Sequence, residues 1–596
     1  MQTHLTFAWP ISSEDGERRA GHWSQACWRD SHWSPALREP GLEIWTLRGL
    51  RLPVRRISGT GLVVIGDILE RGSSRPLVGG GLPGFPDDPV RAARRLARDT
   101  WGAYLALLPN ANGGWSVFRD PSGALEGLTW RRGDLTALSD GVNALPPDAL
   151  PAELALDWNV ITELTRRPMA SSHLSPLSGF HPVSPGDVQA LGDATDPVPI
   201  WRPASWLEER GPAQHEDLRA AVLSSVDGLA ACEPRLLVEV SGGLDSAIVA
   251  GALKAVGHGG RVAAALNYYP PQQEGDERHY ADAVCRRAGL PLVATPSFAE
   301  AITADDFDRF ARAAAPAFAA IDPQRDRDTA EKAARLGATA LMGGQGGDAI
   351  FFQMPTPAVV GDLLGARGWR AMLDPFVVET ARWLRMSVWD VLARARRDSG
   401  GSVGEPPGVR QFWGRRAREA PALPRHPWLE DLGGVPRAKR LQVEALVVGQ
   451  LAWNRSAAGA RLRLHRPLLA QPVLEAWLPI PTFRLVEGGR DRALARRIFA
   501  DDLPTVVARR RSKGALTSAY ARGTADSLEF LRSHLLDGVL ADARVLDRSA
   551  MEAALQPDQL IWRNAGARLI RAAIIESWVR YWQTRAPDCR IGARTG

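Results

Sequence analysis

The chain has 596 residues, a hydrophobic fraction of 45%, and a net charge of +6 from 73 basic and 67 acidic residues. This length predicts two to four domains with sizeable cores. The charge excess is mild and no basic stripe is interleaved with aromatic residues, which argues against a nucleic-acid-binding surface. No long apolar run and no signal-peptide pattern occur, so we expect no membrane span and a cytoplasmic protein. The four cysteines form no C-x-x-C pair, which fits a reducing compartment.

Residues 1–205 are predicted to be rich in β-structure. Short apolar runs, such as 61–66 and 104–108, are separated by turn signals that include Gly113-Gly114. A helix is predicted from Pro89 to Arg98. We place a domain boundary near residue 205, where no clear period is visible.

Residues 206–596 form the second predicted domain. Helices are predicted at 216–230, 244–256, 276–288, 303–313 and 325–336, and strands at 236–240, 261–267, 292–294 and 338–342. Strands that alternate with helices predict a parallel, doubly wound α/β sheet, in which ligands bind at the carboxyl ends of the strands. From residue 353 onward the chain is predicted to be mostly helical.

A glycine-rich turn, Ser241-Gly242-Gly243-Leu244-Asp245-Ser246, lies between a predicted strand and a predicted helix. Its glycines let backbone N–H groups approach a ligand, and the helix N-terminus adds partial positive charge, so the turn suits a phosphate group. Asp245 is then placed to hold a divalent metal ion. A plain strand–turn–helix connection is the alternative, because no Walker lysine follows the glycines.

A second glycine-rich turn, Gly343-Gly344-Gln345-Gly346-Gly347-Asp348-Ala349, follows another predicted strand. It would face the first turn across the sheet, because both strands end at the same edge. Asp245 and Asp348 would then share a divalent metal ion that carries phosphate oxygens. A flexible turn without a ligand is the alternative.

These motifs carry a resemblance to a known family. The S-G-G-L-D-S turn resembles the pyrophosphate loop of ATP pyrophosphatases, and the second turn resembles the S-G-E-G-A-D-E loop of asparagine synthetases. The segment 276–281 resembles the D-E-x-x-Y-A helix start of the same family, although an acidic helix N-terminus explains it equally well. The segment 509–514 resembles its W-R-x-K segment, so Lys513 falls on the lysine that stabilises the departing pyrophosphate.

The resemblance implies an ATP site and an Mg²⁺ site. The implied ATP-binding residues are Val240, Ser241, Gly242, Gly243, Leu244, Asp245, Ser246, Leu266, Gly343, Gly344 and Lys513. The implied metal ligands are Asp245 and Asp348, and the implied catalytic residues are Lys513, Asp348 and Asp245.

The N-terminal region resembles the class II glutaminase domain, an α+β fold built on a β-rich sandwich. The segment 116–124 resembles the A-R-D-x-x-G segment of those domains. Their nucleophile is a cysteine at position 2, where this chain has Gln2. Cys27, the first cysteine, is predicted to be a buried structural residue. The region is therefore predicted to keep the glutaminase fold without the activity.

Two residues depart from the S-G-E-G-A-D-E pattern: Gln345 replaces the first acid and Ala349 the second. Glutamine accepts no proton at neutral pH. This combination resembles the lasso peptide cyclases, in which a core peptide's own N-terminal amine attacks an adenylated Asp or Glu side chain. The resemblance implies a precursor peptide substrate, a leader-binding protein and a leader peptidase as partners. Four tryptophans in a variable helical region are candidates for a peptide-binding wall, although core positions are the commoner role: Trp369, Trp383, Trp389 and Trp413.

Two other interpretations remain. Another amide ligase of the family, similar to β-lactam synthetase or to asparagine synthetase itself, is one; Gln345 argues against the β-lactam synthetase type, which should offer a Tyr–Glu pair. A non-catalytic scaffold that kept the fold is the other. The retention of Asp245, Asp348 and Lys513 argues against a scaffold.

Overall fold

The computed structural model describes residues 3–77, 82–142, 149–192, 195–208, 215–270, 276–297, 302–318, 322–397, 409–450, 456, 458–459, 461–510, 524–556 and 566–585. In chain order the strands are β1 (His4–Ala8), β2 (Trp33–Glu39), β3 (Leu42–Leu47), β4 (Val54–Arg56), β5 (Val63–Glu70), β6 (Thr100–Pro109), β7 (Trp115–Arg119), β8 (Leu128–Arg132), β9 (Leu135–Ser139), β10 (His181–Pro182), β11 (Asp187–Leu191), β12 (Val198–Pro199), β13 (Leu236–Glu239), β14 (Val262–Tyr269), β15 (Leu292–Pro296), β16 (Ala340–Met342) and β17 (Arg463–His465).

The helices follow the same numbering convention. They are α1 (Glu14–Arg29), α2 (Pro89–Asp99), α3 (Trp158–Arg166), α4 (His215–Ala231), α5 (Leu244–Ala255), α6 (Arg278–Ala288), α7 (Ala304–Ala311), α8 (Pro323–Leu336), α9 (Gly347–Ile350), α10 (Ala358–Arg367), α11 (Pro375–Leu384), α12 (Val388–Arg397), α13 (Arg415–Glu419), α14 (Pro427–Glu430), α15 (Arg437–Gln450), α16 (Gln471–Trp477), α17 (Thr482–Leu485), α18 (Ala493–Ile498), α19 (Thr505–Ala508), α20 (Leu528–Leu536), α21 (Val539–Asp542), α22 (Arg548–Ala554) and α23 (Gly566–Gln583). In the parts of the chain that the structure describes, no helix has the length and apolar character needed to cross a membrane.

The N-terminal region is a sandwich of two antiparallel sheets. Within the described residues the sheet orders are β10-β8-β9-β1-β3-β2 and β12-β11-β7-β6-β5-β4. Ile44 of the first sheet and Ile65 and Leu105 of the second share a core between the sheets. Helices α1 and α2 cover the two outer faces. Strand β6 is therefore buried on both faces, which explains its continuous apolar run from Ala103 to Leu108.

Helix α1 was not among the predicted elements. It begins after Ser13, whose Oγ accepts a hydrogen bond from the N–H of Gly16 at 3.0 Å. Three acidic residues in its first turn favour a helix N-terminus. Trp23 and Cys27 are buried on its inner face, where they pack against the first sheet.

The second region contains the predicted parallel sheet, in the order β15-β14-β13-β16-β17. All four pairs of neighbouring strands are parallel. On β13, Val238 packs with Ile248 of α5 on one face, and Leu237 packs with Ala333 of α8 on the other. The nine elements predicted between residues 216 and 342 are all present with bounds within two residues. The fifth strand, β17, was not predicted.

The two regions share their hydrophobic cores. The last strand of the sandwich ends at Pro199 and α4 begins at His215. One apolar cluster nevertheless joins Phe7 and Trp130 of the first sheet to Trp578 of α23. Trp101 of β6 packs against α4, where a side chain at Gly228 would meet its ring at 2.8 Å. The sandwich and the parallel sheet are thus packed as one body.

A buried ion-pair network reinforces this contact. Arg463 of β17 pairs with Asp67 of β5 and, at 2.9 Å, with Glu233. His465 Nε2 lies 3.0 Å from Glu233 Oε1. Burial alone would raise the pKa of Glu233, but His465 and Arg463 outweigh it and lower that pKa. The edge strand of the parallel sheet is thereby fixed against the sandwich.

Candidate active site

The first glycine-rich turn lies at the carboxyl end of β13. Gly242 has a φ of +84°, a left-handed conformation that favours glycine. The hydroxyl of Ser246 lies 3.2 Å from both the N–H of Ser241 and the carbonyl oxygen of Gly243, which closes the turn. Helix α5 starts immediately afterwards at Leu244. Ser241 is exposed at the mouth of the turn, where the helix N-terminus directs partial positive charge outward.

The second turn packs directly against the first. A Cβ at Gly344 would lie 2.5 Å from the backbone nitrogen of Ser246, and one at Gly347 would lie 2.5 Å from Cγ of Asp245. Because β13 and β16 are parallel neighbours, the turns that follow them lie at the same edge of the sheet. The glycines at 344 and 347 therefore permit close contact between the two turns.

Arg492 brings the two carboxylates together. Its Nη1 donates to Oδ2 of Asp245 and to Oδ1 of Asp348, both at 2.7 Å. Its Nη2 pairs with Asp491 Oδ2 at 2.8 Å. Burial disfavours the charge on Arg492, which is 4% exposed, but the three carboxylates outweigh burial and raise its pKa. The sequence offered no local signal for this residue, which stands among many arginines.

The donor set suits Mg²⁺. Carboxylate oxygens are hard ligands, and Mg²⁺ in phosphate-transfer sites uses one or two carboxylates together with phosphate oxygens and water. Within the described residues, no group of three or more His, Cys, Asp or Glu is arranged to hold a metal ion. Asp245 and Asp348 engage Arg492 through one oxygen each. The pair fits an ion whose remaining ligands come from a bound phosphate chain.

Arg510 reaches the first turn from the C-terminal part of the chain. Its Nη1 donates to the carbonyl oxygen of Gly242 at 3.2 Å, and its guanidinium group pairs with Glu277. The same group lies 4.1 Å from the ring centre of Tyr280. Lys513, the predicted catalytic lysine, lies outside the described residues. The basic segment before it thus contacts the turn through Arg510, which the sequence analysis had not singled out.

Two of the predicted ATP-binding residues, Val240 and Leu266, lie beside the first turn. The N–H of Val240 donates to the carbonyl oxygen of Leu266 at 2.9 Å, and both side chains are buried. The Asn267 side chain donates to the carbonyl oxygen of Val240 at 2.8 Å. This hydrogen bond continues the contact between β13 and β14 past the end of the ladder.

Gln345 is held by an arginine from β17's end. Arg466 Nε donates to Oε1 of Gln345 at 3.0 Å. The residue that stands in place of the first acid of the S-G-E-G-A-D-E pattern therefore makes a specific polar contact.

The cysteine and the four tryptophans have distinct environments. Cys27 is buried, and burial raises the pKa of its thiol to about 12. Gln2 lies outside the described residues. Trp369 and Trp389 are 69% and 79% exposed, whereas Trp413 is buried. Trp383 is partly buried.

A model of the asparagine synthase family matches residues 217–580, which is more than half of the chain. The chain belongs to the asparagine synthase family. The match includes the parallel sheet, both glycine-rich turns and Arg492, and membership indicates an ATP-dependent, amide-forming ligase. No curated protein matches the chain.

Proposed function

We propose that this member of the asparagine synthase family is a macrolactam synthetase of the lasso peptide cyclase type. It would adenylate an Asp or Glu side-chain carboxylate of a core peptide and join it to the peptide's N-terminal amine. The observation that carries the proposal is the meeting of Asp245 and Asp348 at the sheet edge beside the phosphate-type turn. The products would be the cyclic peptide, AMP and pyrophosphate.

The first step is adenylation. The turn 241–246 would hold the phosphate chain with its backbone N–H groups and the α5 N-terminus. Asp245 and Asp348 would hold Mg²⁺, which neutralises phosphate charge when bound. A substrate carboxylate oxygen attacks the α-phosphorus, and pyrophosphate leaves with the electrons of the broken P–O bond. Lys513 is proposed to stabilise the leaving group, with Arg510 anchoring the preceding segment at Gly242.

The second step forms the amide bond. The neutral α-amine of the peptide attacks the acyl carbon, AMP leaves, and the amine loses a proton. The ring must close around a tail that is already threaded, because a closed ring excludes bulky side chains. Orientation of the bound peptide is therefore a large part of the catalysis. The exposed Trp369 and Trp389 are candidates for this binding surface.

Residues in both regions of the chain support an internal amine over glutamine-derived ammonia. We propose that residues 1–205 are a glutaminase-like domain without activity, since position 2 is glutamine. Cys27 cannot replace the missing nucleophile, because a buried thiol with a pKa of about 12 supplies almost no thiolate near neutrality. Gln345 supplies no carboxylate for an external amine.

A different amide ligase of the family, similar to β-lactam synthetase or asparagine synthetase, is the second candidate. Within the described residues, the Arg466 contact occupies Gln345 where a catalytic acid would be needed. We further propose a leader-binding protein and a leader peptidase as partners, and a cytoplasmic location.

The test uses the full-length protein and core peptides encoded by short genes beside its own gene. AMP, pyrophosphate and the peptide mass are measured, and cyclisation is seen as loss of one water. Asp245→Ala should abolish turnover and weaken ATP binding. Absence of ATP turnover with every peptide, together with unchanged ATP binding by Asp245→Ala, would exclude an enzymatic function of this kind.

A further inference from the structure

We propose that an exposed face of the helical region 369–396 binds the tail of the substrate peptide, the part that lies beyond the ring-forming residues. What we term the tryptophan–arginine face consists of Trp369, Arg370, Leu373, Trp389 and Arg396. The inference rests on the proposed function, because it assigns a binding surface to the same substrate. Its experiment separates tail binding from ATP-dependent turnover.

The face presents large apolar side chains to solvent. In the described parts of the chain, eight large apolar side chains are exposed, and four of them lie between Trp369 and Trp389. Leu373 is the most open of these, at 86% exposed. Exposed apolar side chains that cluster in one segment mark a surface that binds a partner.

The opposite sides of the same elements are packed in the core. Phe376 and Val377 of α11 are buried in the apolar cluster that includes the parallel sheet, and so are Val391 and Leu392 of α12. The exposed side chains therefore stand on the outer sides of anchored elements. A surface that is already ordered loses less conformational entropy when a ligand binds to it.

The apolar and basic side chains of the face adjoin each other. A short 3₁₀ helix spans Trp369–Leu373, and Arg396 Nη2 lies 3.1 Å from Met372 Sδ in this helix. Trp389 and Arg396 are seven residues apart on α12, which is close to two turns, so they lie on the same side of the helix. The 3₁₀ helix and α12 thus contribute to one surface.

The charge of the surrounding segment favours an anionic ligand. Residues 366–396 contain six arginines and three acidic residues, which gives a net charge of +3. Arg367 pairs with Asp374 at 2.9 Å, and the other five arginines form no ion pair with a described residue. The Arg370 guanidinium lies 5.8 Å from the ring centre of Trp369, so positive charge stands directly beside an apolar anchor.

The acidic residues of this segment have other positions. Asp374 and Glu379 line a separate cleft together with Arg367. Asp390 accepts a hydrogen bond from the hydroxyl of Ser387 at 2.8 Å, at the start of α12. The tryptophan–arginine face itself contains no acidic residue among its five members.

A peptide tail supplies the groups that this face would bind. An unmodified tail ends in a carboxylate, which matches a planar guanidinium group, and its apolar side chains can cover exposed tryptophan rings. A second copy of this chain fits less well. A two-fold contact through the face would place arginines against arginines.

The position of the face suits the tail rather than the reacting end of the peptide. Helix α12 packs on α10, α10 packs on α15, and α15 packs on α9, which contains Asp348. Axes of packed helices lie about 8–10 Å apart, so the face is roughly 20–30 Å from the catalytic turns. About six to nine extended residues cover this distance. A peptide held at both places would be ordered before the ring closes.

The binding experiment uses the full-length protein without ATP and a rhodamine-labelled peptide of about twelve residues, built from Glu-Phe-Gly repeats and ending in a free carboxylate. Fluorescence anisotropy gives its Kd. A matched peptide with lysine in place of glutamate and an amidated C-terminus should bind at least about tenfold more weakly. Trp389→Ala should weaken binding of the acidic peptide about tenfold. Arg396→Glu should weaken it by a similar factor and strengthen binding of the basic peptide.

The chain offers a matched control on its N-terminal region. Trp28 and Arg29 are an exposed tryptophan and an exposed arginine side by side on α1. Trp28→Ala and Arg29→Glu should leave the Kd values of both peptides within about twofold of the wild type.

A kinetic experiment links the face to the reaction. With a linear core peptide that the wild type cyclises, removal of the tail should raise the KM about tenfold in the wild type. The same removal should raise it much less in Trp389→Ala, because that variant has already lost the contact. Full additivity of the two changes would show that the tail does not lie on this face.

Further outcomes would also overturn the inference. These are equal binding of the acidic and basic peptides, and unchanged Kd values in both Trp389→Ala and Arg396→Glu. Binding to vesicles of equal parts phosphatidylglycerol and phosphatidylcholine that Trp389→Ala abolishes would assign the face to a membrane surface instead. Self-association that the same variant abolishes would assign it to a second copy. Absence of ATP turnover with every core peptide, while the acidic peptide still binds, would overturn the proposed function rather than the docking face.

Discussion

Asp245 Oδ2 and Asp348 Oδ1 lie at the same distance, 2.7 Å, from one nitrogen atom of Arg492, although the two aspartates belong to different turns. The guanidinium group cancels part of their repulsion before any metal ion arrives. Mg²⁺ would then bind to carboxylates that are already positioned, and it would share them with an existing cation. The turn-to-turn contact is thus held by charge as well as by close packing.

We expect Arg492→Gln to destabilise the metal-free protein by about 3 kcal/mol, because it leaves the largely buried Asp245 beside a second carboxylate. Added Mg²⁺ and ATP should then raise the melting temperature more in the variant than in the wild type. Thermal unfolding with EDTA and with Mg²⁺–ATP measures both effects. Arg497→Gln, in the helix α18 that begins immediately after Arg492, changes an exposed ion pair; it is the control and should behave as the wild type. Equal stabilisation of the Arg492 variant and the wild type would contradict the prediction.

Gly344→Ala should abolish ATP-dependent turnover, since its Cβ would meet the Ser246 nitrogen at 2.5 Å and push the turns apart. Gly365→Ala is the matched control, because no atom lies within 4 Å of the added Cβ in helix α10. That replacement should leave turnover unchanged and stabilise the protein by about 0.5–1 kcal/mol. AMP release and melting temperature are measured for both. Full turnover in Gly344→Ala would show that the contact between the turns is dispensable.

Cys27→Ala should keep ATP-dependent activity within about twofold of the wild type and cost about 1–2 kcal/mol of stability, as expected for a small buried side chain. The physical reason is that a thiol whose pKa is about 12 takes no part in acyl transfer. Cys232→Ala, at an equally buried thiol, is the control. A specific tenfold loss in Cys27→Ala would restore a glutaminase-type role.

The buried side chain of His534 should make the free energy of unfolding depend on pH in the acid range. Burial, followed by the charge of Arg580, lowers its pKa to about 4 from 6.5. The unfolded chain binds the proton between these values and the folded protein does not, so stability should fall as the pH drops from 6.5 to 4. Over this range the free energy of unfolding should decrease by roughly 3 kcal/mol.

Denaturant unfolding between pH 4 and 7 tests this, with His534→Gln expected to lose that part of the pH dependence. The exposed His181→Gln is the control and should retain it. An identical pH profile in His534→Gln and the wild type would rule out His534 as the source.

Trp389→Ala should raise the KM for the core peptide about tenfold, since an exposed aromatic anchor contributes about 1–2 kcal/mol when a partner covers it. Nucleotide affinity should not change. Trp28→Ala is the control, because Trp28 is 56% exposed on the N-terminal region. Steady-state kinetics with a linear core peptide that the wild type cyclises provide the measurement. Equal KM values for both variants would place the peptide elsewhere.

The sequence predicted the parallel sheet well because each strand and helix there has its own local pattern. Val238 to Ala250 contains a strand, a turn and a helix start within a few residues. Asp245 and Asp348 were paired from their positions after buried strands, and the structure brings them together. Their roles as metal ligands remain a prediction.

The contacts made by Arg492, Arg466 and β17 were not predicted, because they depend on chain segments far apart in sequence. The strand Arg463–His465 has only three residues, and two of them are basic. It is held in place by the ion pair between Arg463 and the buried Glu233 rather than by a hydrophobic pattern, so the local sequence does not indicate a strand. Arg492 is one arginine in an arginine-rich segment. Only folding distinguishes it from its neighbours.

The apolar cluster that joins Phe7 and Trp130 to Trp578 limits which parts of this protein can be lost in evolution. A nucleophile can be lost from the N-terminal region by single substitutions, but the region itself cannot be deleted without exposing aromatic side chains of the C-terminal helix. Burial of these aromatic side chains is by itself a physical reason for the sandwich to be retained. A chain beginning at residue 206 would be expected to aggregate, and the smallest workable catalyst would be close to the whole polypeptide.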